Sequence, residues 1–333
     1  MELVRIWSGA VSTTLLAKEA SLEYINVGRS GLKVSRICLG TNMFGEGYVD
    51  DDRAFSVIDA ALDSGINFID TADMYNDGKS EELVGRAIKG KRDDLVIGTK
   101  GFAPMGPGVN DRGLSRKHVI DAVNSSLSRL KTDYIDLYQV HWWDPETPIE
   151  ETLGTLNDLV RIGKIRYLGC SNFAAWQLAK ALWTSDKLGL DKFVSIQLLY
   201  NMAQRGIEEE VFPLAEDQGV GVIPYQVLMG GLLTGSYDVT KEPPKDSHMA
   251  SRHAGGAKTR FWNERTFKLV DEVKKAAVQL GYEPTQVSLA WCLSKSPITS
   301  VIVGSSRPEQ ITQNARSQEI RLPEETLERL NSL

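Results

Sequence analysis

Gly65-Ile66-Asn67-Phe68-Ile69-Asp70-Thr71-Ala72-Asp73-Met74-Tyr75 is the stretch from which both the fold and the chemistry are read. Its apolar run, residues 66–69, has strand length, follows a glycine and precedes a charged, turn-prone segment. That predicts a buried parallel strand ending at Asp70. A carboxylate at the last position of such a strand is costly to bury unless it is paired. Tyr75 follows five residues later, in the loop that must leave the strand. A phenol and a carboxylate rising from one strand end suggest a proton-handling site. For these two residues alone the alternative is an Asp that caps the next turn with a Tyr packed on it.

Outward from this stretch the text alternates. Residues 21–35 read as a short hairpin with Gly28-Arg29-Ser30-Gly31 at its turn. Strand-like runs then recur at 36–40, 66–70, 95–99, 134–140, 165–169, 194–197, 220–224 and 300–303. Helical patterns lie between or after them at 51–64, 80–89, 115–130, 149–162, 174–185, 207–218 and 307–316. Such alternation demands a parallel sheet with right-handed helical crossovers. Eight units, with no Gly-rich dinucleotide fingerprint after the first strand, favour a closed (β/α)8 TIM barrel, an α/β fold, over an open doubly wound sheet. Two long loops, 101–113 and 230–261, are rich in Gly, Pro or polar residues, and loops of that length usually carry function. A tail helix is expected at 323–330.

Composition sets the outer bounds. The 333 residues are 42% hydrophobic and 25% charged, an ordinary globular balance with length for a sizeable core. A net charge of −6 without a basic block argues against nucleic acid or an acidic membrane as main partner. Three scattered cysteines, Cys38, Cys170 and Cys292, form no CxxC pair or disulfide framework, so a reducing cytoplasm is the expected location. The four histidines show no metal-ligand spacing. No apolar run approaches the roughly 20 residues of a membrane span. Residues 1–20 are expected to be an N-terminal extension, with 21–333 as a single domain.

In a barrel of this kind chemistry gathers where the strands end. The residues there are Asp70, Lys100, His141, Asn172, Gln197, Tyr225 and Gly304. An acid, a lysine and a histidine on three successive strand ends, with a tyrosine in the intervening loop, is a specific constellation. Asp70-Thr71-Ala72-Asp73-Met74-Tyr75, Thr99-Lys100, Gln139-Val140-His141, Gly169-Cys170-Ser171-Asn172-Phe173, Gly231-Leu232-Leu233-Thr234-Gly235 and Val301-Ile302-Val303-Gly304-Ser305-Ser306-Arg307-Pro308-Glu309-Gln310 carry the comparison further. In order and spacing, from about residue 22 onward, they resemble the aldo-keto reductase superfamily. The resemblance is to the bacterial branch that also looks like potassium-channel β subunits.

The resemblance implies an NADPH-dependent carbonyl reductase with a tetrad of Asp70, Tyr75, Lys100 and His141. A carbonyl accepting hydride becomes an alkoxide and needs a proton, which Tyr75 would supply. A phenol is too weak an acid near neutrality, and the Lys100 ammonium is expected to lower its pKa. Asp70 would keep Lys100 charged and placed. His141 would donate a hydrogen bond to the substrate oxygen. A cofactor site is implied alongside: Ser171, Asn172 and Gln197 on the nicotinamide carboxamide, and Tyr225 stacked on the ring. Thr41, Gln226, Leu228 and Gly230 are expected along the cofactor, and Gly304, Ser306 and Arg307 on an adenosine 2′-phosphate at a helix N-terminus. Gln310 and Asn314 would lie on the adenine side. Taken alone, Asn172 would serve as a helix N-cap and Gln197 as a satisfied core amide.

Departures from the family pattern concentrate near the phosphates. Gln226-Val227-Leu228 replaces Ser-Pro-Leu, Ser236 stands for a lysine, and His248 stands near the place of an arginine, with Arg252 four residues later. Asn42 stands where an aromatic residue or threonine is frequent. The substrate wall is expected from Met43, Phe44, Tyr48, Met105, Trp142, Trp143 and His248, with only one of the two tryptophans facing the ligand. An aromatic wall suits an aromatic or sugar-like carbonyl. Two other functions fit parts of the pattern: an NADPH-binding redox sensor with slow turnover, and a barrel enzyme using Lys100 as a Schiff base. The second needs a neutral amine, and Asp70 works against that.

Overall fold

The alternation closes into a nearly complete barrel of eight parallel strands ringed by helices. The structure, a computed structural model, describes residues 23–45, 49–238, 240–245, 247–251 and 256–333. The expected extension 1–20, with Ser21, Leu22, Tyr48 and Arg252, lies outside the described residues. An antiparallel hairpin comes first, β1 (Tyr24–Asn26) and β2 (Lys33–Ser35). The barrel strands are β3 (Ile37–Gly40), β4 (Phe68–Asp70), β5 (Val96–Gly101), β6 (Ile135–Val140), β7 (Ile165–Ser171), β8 (Phe193–Leu199), β9 (Gly221–Tyr225) and β10 (Val301–Gly304). They run in the order β10-β3-β4-β5-β6-β7-β8-β9. Between β9 and β10 the seam is a parallel bridge from Val222 to Ile298, with the Val222 N–H on the Pro297 carbonyl at 2.9 Å and the Thr299 N–H on the Val222 carbonyl at 2.9 Å.

The helices are α1 (Asp51–Asp63), α2 (Lys79–Ala87), α3 (Arg116–Leu130), α4 (Ile149–Arg161), α5 (Ala175–Leu188), α6 (Ile207–Gln218), α7 (Ala257–Phe261), α8 (Glu264–Leu280), α9 (Pro284–Leu293), α10 (Pro308–Ala315) and α11 (Glu324–Asn331). Their starts follow local chemistry. Asp50 accepts the Arg53 N–H ahead of α1, and Ser115 accepts the His118 N–H ahead of α3. Their inner faces follow helical spacing: α1 buries Ala54, Val57, Ile58 and Ala61. Each such Val or Ile contributes about 1.5–3 kcal/mol by leaving water. The expected long loop 230–261 is partly helical, with turns at Met229–Thr234 and His248–Ala250 and then α7.

Strand periodicity positions the site. Cys38, Phe68, Val96, Leu137 and Ile223 form one apolar cluster with Val27 and Val34 of the hairpin region, which plugs the barrel's N-terminal end. Side chains on a strand alternate faces, so two residues further along the same interior lie Asp70, Gly98, Gln139 and Tyr225. The register pairs Asp70 with Gly40 and Gly98, Lys100 with Gln139, and Ser171 with Gln197. The interior therefore changes from apolar to polar toward the C-terminal strand ends. Among the described residues no helix is long and apolar enough to cross a membrane, and no group of three His, Cys, Asp or Glu is placed to hold a metal.

Candidate active site

Lys100 is fully buried on β5, and its ammonium is the hub of the site. Nζ donates to Asp70 Oδ1 at 2.6 Å, to the Thr71 carbonyl at 2.6 Å and to the Tyr75 hydroxyl at 3.4 Å. Three donors thus meet three oxygens, two on the residues that end and follow β4. Asp70 is braced from across the barrel. Its Oδ2 accepts from Gln139 Nε2 at 3.2 Å and from Gln197 Nε2 at 3.0 Å. A Cβ on Gly98 would come within 3.4 Å of that same oxygen and 3.3 Å of the Phe68 ring, so the glycine keeps room for the polar layer. Gln139 and the Thr71 carbonyl were not singled out from sequence. The signal was available for Gln139, which lies two residues before His141 on an inward-facing position.

The Tyr75 loop is tied to its surroundings by backbone and side chain. The Tyr75 N–H meets the Ala72 carbonyl at 3.2 Å, and Asn76 Nδ2 donates to the Phe44 carbonyl at 2.7 Å. His141 follows β6 and is buried, its ring 6.1 Å from that of Tyr75 and stacked on Trp142 at 3.9 Å. The structure therefore brings Asp70, Tyr75, Lys100 and His141 together at one mouth.

Around this core, Ser171, Asn172 and Tyr225 form a linked rim. Tyr225 donates its hydroxyl to Asn172 Oδ1 at 2.8 Å, Asn172 Nδ2 donates to the His141 carbonyl at 3.0 Å, and Ser171 Oγ donates to the Gln197 carbonyl at 3.0 Å. Asn172 holds a left-handed backbone at φ 57° and is not a helix cap; Ala174 takes that place before α5. Gln226, Leu228 and Gly230 follow β9 and are half-buried, with Gln226 left-handed at φ 53°. Gln226 Oε1 accepts from Arg260 Nη1 at 3.2 Å, and His248 Nδ1 lies 3.3 Å from the Gly230 carbonyl. At the end of β10, Gly304 and Arg307 are exposed, and Gln310 Oε1 accepts the Ser306 N–H at 2.9 Å at the start of α10.

Four of the expected contact residues have other neighbours in the structure. Thr41 is fully buried, its hydroxyl donating to the Asp70 carbonyl at 3.0 Å, so it braces β4. Phe44 is fully buried in the hydrophobic core. Asn314 is buried on the inner side of α10. Trp143 lies edge-on to Phe173 at 5.3 Å and to Trp176 at 5.5 Å, whereas Trp142 stacks on His141 and lies beside Phe102 at 5.8 Å.

The family model described as the aldo/keto reductase family matches residues 36–333. The chain belongs to the aldo/keto reductase family. It is 37% identical to the oxidoreductase YrpG of Bacillus subtilis over 94% of this chain and 96% of that protein. It is 36% identical to a probable voltage-gated potassium channel subunit beta of Arabidopsis thaliana over 90% and 92%. Versiconal hemiacetal acetate reductase of Aspergillus parasiticus is 34% identical over 93% and 96%.

In this aldo/keto reductase the charges are set by burial as much as by neighbours. Burial pulls the Lys100 ammonium down, but Asp70 and Tyr75 more than reverse it, to about 12. Lys100 is therefore charged. Burial and then the Lys100 charge hold His141 well below its ordinary value, so the imidazole is neutral near pH 7 and one ring nitrogen can donate a hydrogen bond without adding charge. The sign expected for Tyr75 is corrected. Lys100 does pull the phenol down, yet burial outweighs it and the net shift is upward. Tyr75 stays protonated near neutrality, and the phenolate left after proton loss would sit 3.4 Å from an ammonium.

Proposed function

We propose that this aldo/keto reductase is an NADP(H)-dependent oxidoreductase that reduces an aldehyde or ketone, aromatic or sugar-like, to the alcohol, with Tyr75 as the general acid. The observation that carries this reading is Lys100 spanning Asp70 and Tyr75 beside a neutral His141. The residues present fit a nicotinamide cofactor. Tyr225 offers a half-buried ring at the end of β9, linked to Asn172, and Ser306 and Arg307 offer a hydroxyl and an exposed guanidinium at the start of α10. Those last two favour a phosphorylated ribose, hence NADP(H) over NAD(H). When bound, the reduced cofactor supplies hydride to the carbonyl carbon.

The chain's own residues do the rest. His141 Nδ1 is sealed from water without a hydrogen-bond partner among the described residues, so Nε2 is the ring nitrogen left to orient a substrate oxygen. Tyr75 gives its proton to the alkoxide as it forms, and Lys100 stabilises the phenolate in a site of low polarity. Trp142, stacked on His141, supplies an apolar wall for the carbonyl compound. The location proposed is the cytoplasm.

A second reading is an NADPH-binding redox sensor or regulatory scaffold with slow turnover; relatives named as potassium channel subunits beta give a regulatory role a place beside the reductase one. Fluorescence titration with NADPH, followed by loss of its absorbance with a panel of aldehydes and ketones, separates the two. The reductase reading expects binding and carbonyl-dependent consumption. Binding with no consumption would favour the sensor, and no binding would defeat both.

A further inference from the structure

Helix α5 turns a stripe of large side chains to solvent. Trp176, Lys180, Trp183 and Lys187 recur at helical spacing and share one face, opposite the buried Leu178, Ala181, Leu182 and Ser185. Trp176 is 60% exposed and Trp183 64%. Within the chain Trp176 meets Trp143 edge-on at 5.5 Å, and Lys187 Nζ lies 5.5 Å from the centre of the Trp183 ring. Two indoles left this open on one helix face are the kind of exposed apolar surface that marks an interface.

The next helix, α6, carries the complement. Glu209, Pro213 and Glu216 share its exposed face, with Glu210 and Asp217 beside them. The helix contains no basic residue, and the only acid of α5, Asp186, is already paired with Lys192. Among the described residues Lys180 and Lys187 have no carboxylate partner, and Glu209, Glu210 and Glu216 have no cationic one. Other neighbouring helices are bridged: Arg86 of α2 pairs with Asp51 of α1, and Arg116 of α3 with Asp158 of α4.

The two stripes match in register when the helices are set antiparallel. Lys187, Trp183 and Lys180 lie at steps of four and three residues going back along α5, and Glu209, Pro213 and Glu216 at steps of four and three going forward along α6. A second copy turned about a twofold axis perpendicular to both helices sets Lys187 against Glu209, Trp183 against Pro213 and Lys180 against Glu216, and each contact occurs twice. That axis crosses both helices at mid-length, at Leu182 and Leu214.

We propose that this chain forms a twofold dimer through α5 and α6, with Trp183 of each copy seated on Pro213 of the other and the lysine–glutamate pairs fixing the register. The buried indoles supply the affinity, since aromatic anchors near the centre of an interface dominate its energy. Ion pairs at such a rim contribute little affinity and set orientation.

The test is analytical ultracentrifugation of the full chain at micromolar concentration. A species of twice 36.8 kDa is expected. Lys187→Glu and Glu209→Lys are each expected to weaken the dimer about a hundredfold, at about tenfold for each of the two symmetric contacts. Combining Lys187→Glu with Glu209→Lys exchanges the signs and is expected to return affinity to within about tenfold of the wild type. Trp183→Glu is expected to give a monomer with the far-UV circular dichroism of the wild type. A wild type that stays monomeric at high micromolar concentration overturns the proposal. So does a dimer that survives Trp183→Glu, or a double variant no tighter than either single one. A larger assembly supports it where the single reversals halve the mass and overturns it where they leave the mass intact. Loss of fold in Trp183→Glu leaves the decision to the charge exchange, and none of these readouts needs NADPH consumption.

Discussion

Lys100 combines full burial with a charge, and that combination holds only because its donors are matched to oxygens already fixed by the fold. Removing a partner from a buried ion pair leaves an uncompensated charge, typically at about 3–5 kcal/mol. Asp70→Asn is therefore expected to lower unfolding free energy in urea by about 3 kcal/mol and to drop turnover at least a hundredfold, since an unpaired buried lysine sheds its proton. A variant as stable and active as the wild type would contradict the role given to Asp70. At this scale the sequence was informative about which residues meet and less so about their acidity. The upward shift on Tyr75 was missed because the Lys100 charge is visible in a sequence and the depth of burial is not. The sequence likewise hides that Thr41 and Phe44, within a few residues of β3, are fully buried.

Among the elements, the rims of β6 and β7 divide the work of two adjacent tryptophans. Trp142 stacks on His141, while Trp143 packs with Phe173 and Trp176 under Lys180 at 5.7 Å. Trp142→Ala is expected to raise KM for aromatic aldehydes about tenfold with little loss of thermal stability. Trp143→Ala is expected to leave KM near its wild-type value and cost about 3 kcal/mol in unfolding free energy. Steady-state kinetics and denaturant unfolding on both variants check the division, and equal effects on KM would contradict it. The regular strand–helix alternation was legible because each run keeps one period. Helices α8 and α9 were not, since they interrupt that alternation between β9 and β10. Every residue of α9 from Val287 to Cys292 is buried, so it shows no polar face to mark its period.

Over the whole molecule, one alternation organises both stability and chemistry. Interior positions near the hairpin are apolar and pack as a core; interior positions two residues further along become Asp70, Gln139 and Tyr225. At position 98 a Cβ would pack tightly against the Phe68 ring and Asp70 Oδ2, so glycine there relieves the layer beside Asp70. That is why so much of the site could be read without coordinates: a barrel sends strand ends to one mouth, and only the residues at those ends had to be identified. The end proposed for the cofactor's phosphates was less legible, because the residues expected there lie on loops and short helical turns. Their backbone, left-handed at Gln226 and Met229, has no periodic signature. The central claim is that the Tyr75 hydroxyl delivers the proton, and stopped-flow reduction of an aldehyde by NADPH with Tyr75→Phe tests it most directly. The account predicts unchanged NADPH affinity and a reduction rate lower by about 10²–10⁴-fold. A phenylalanine variant that reduces the aldehyde at the wild-type rate would contradict it.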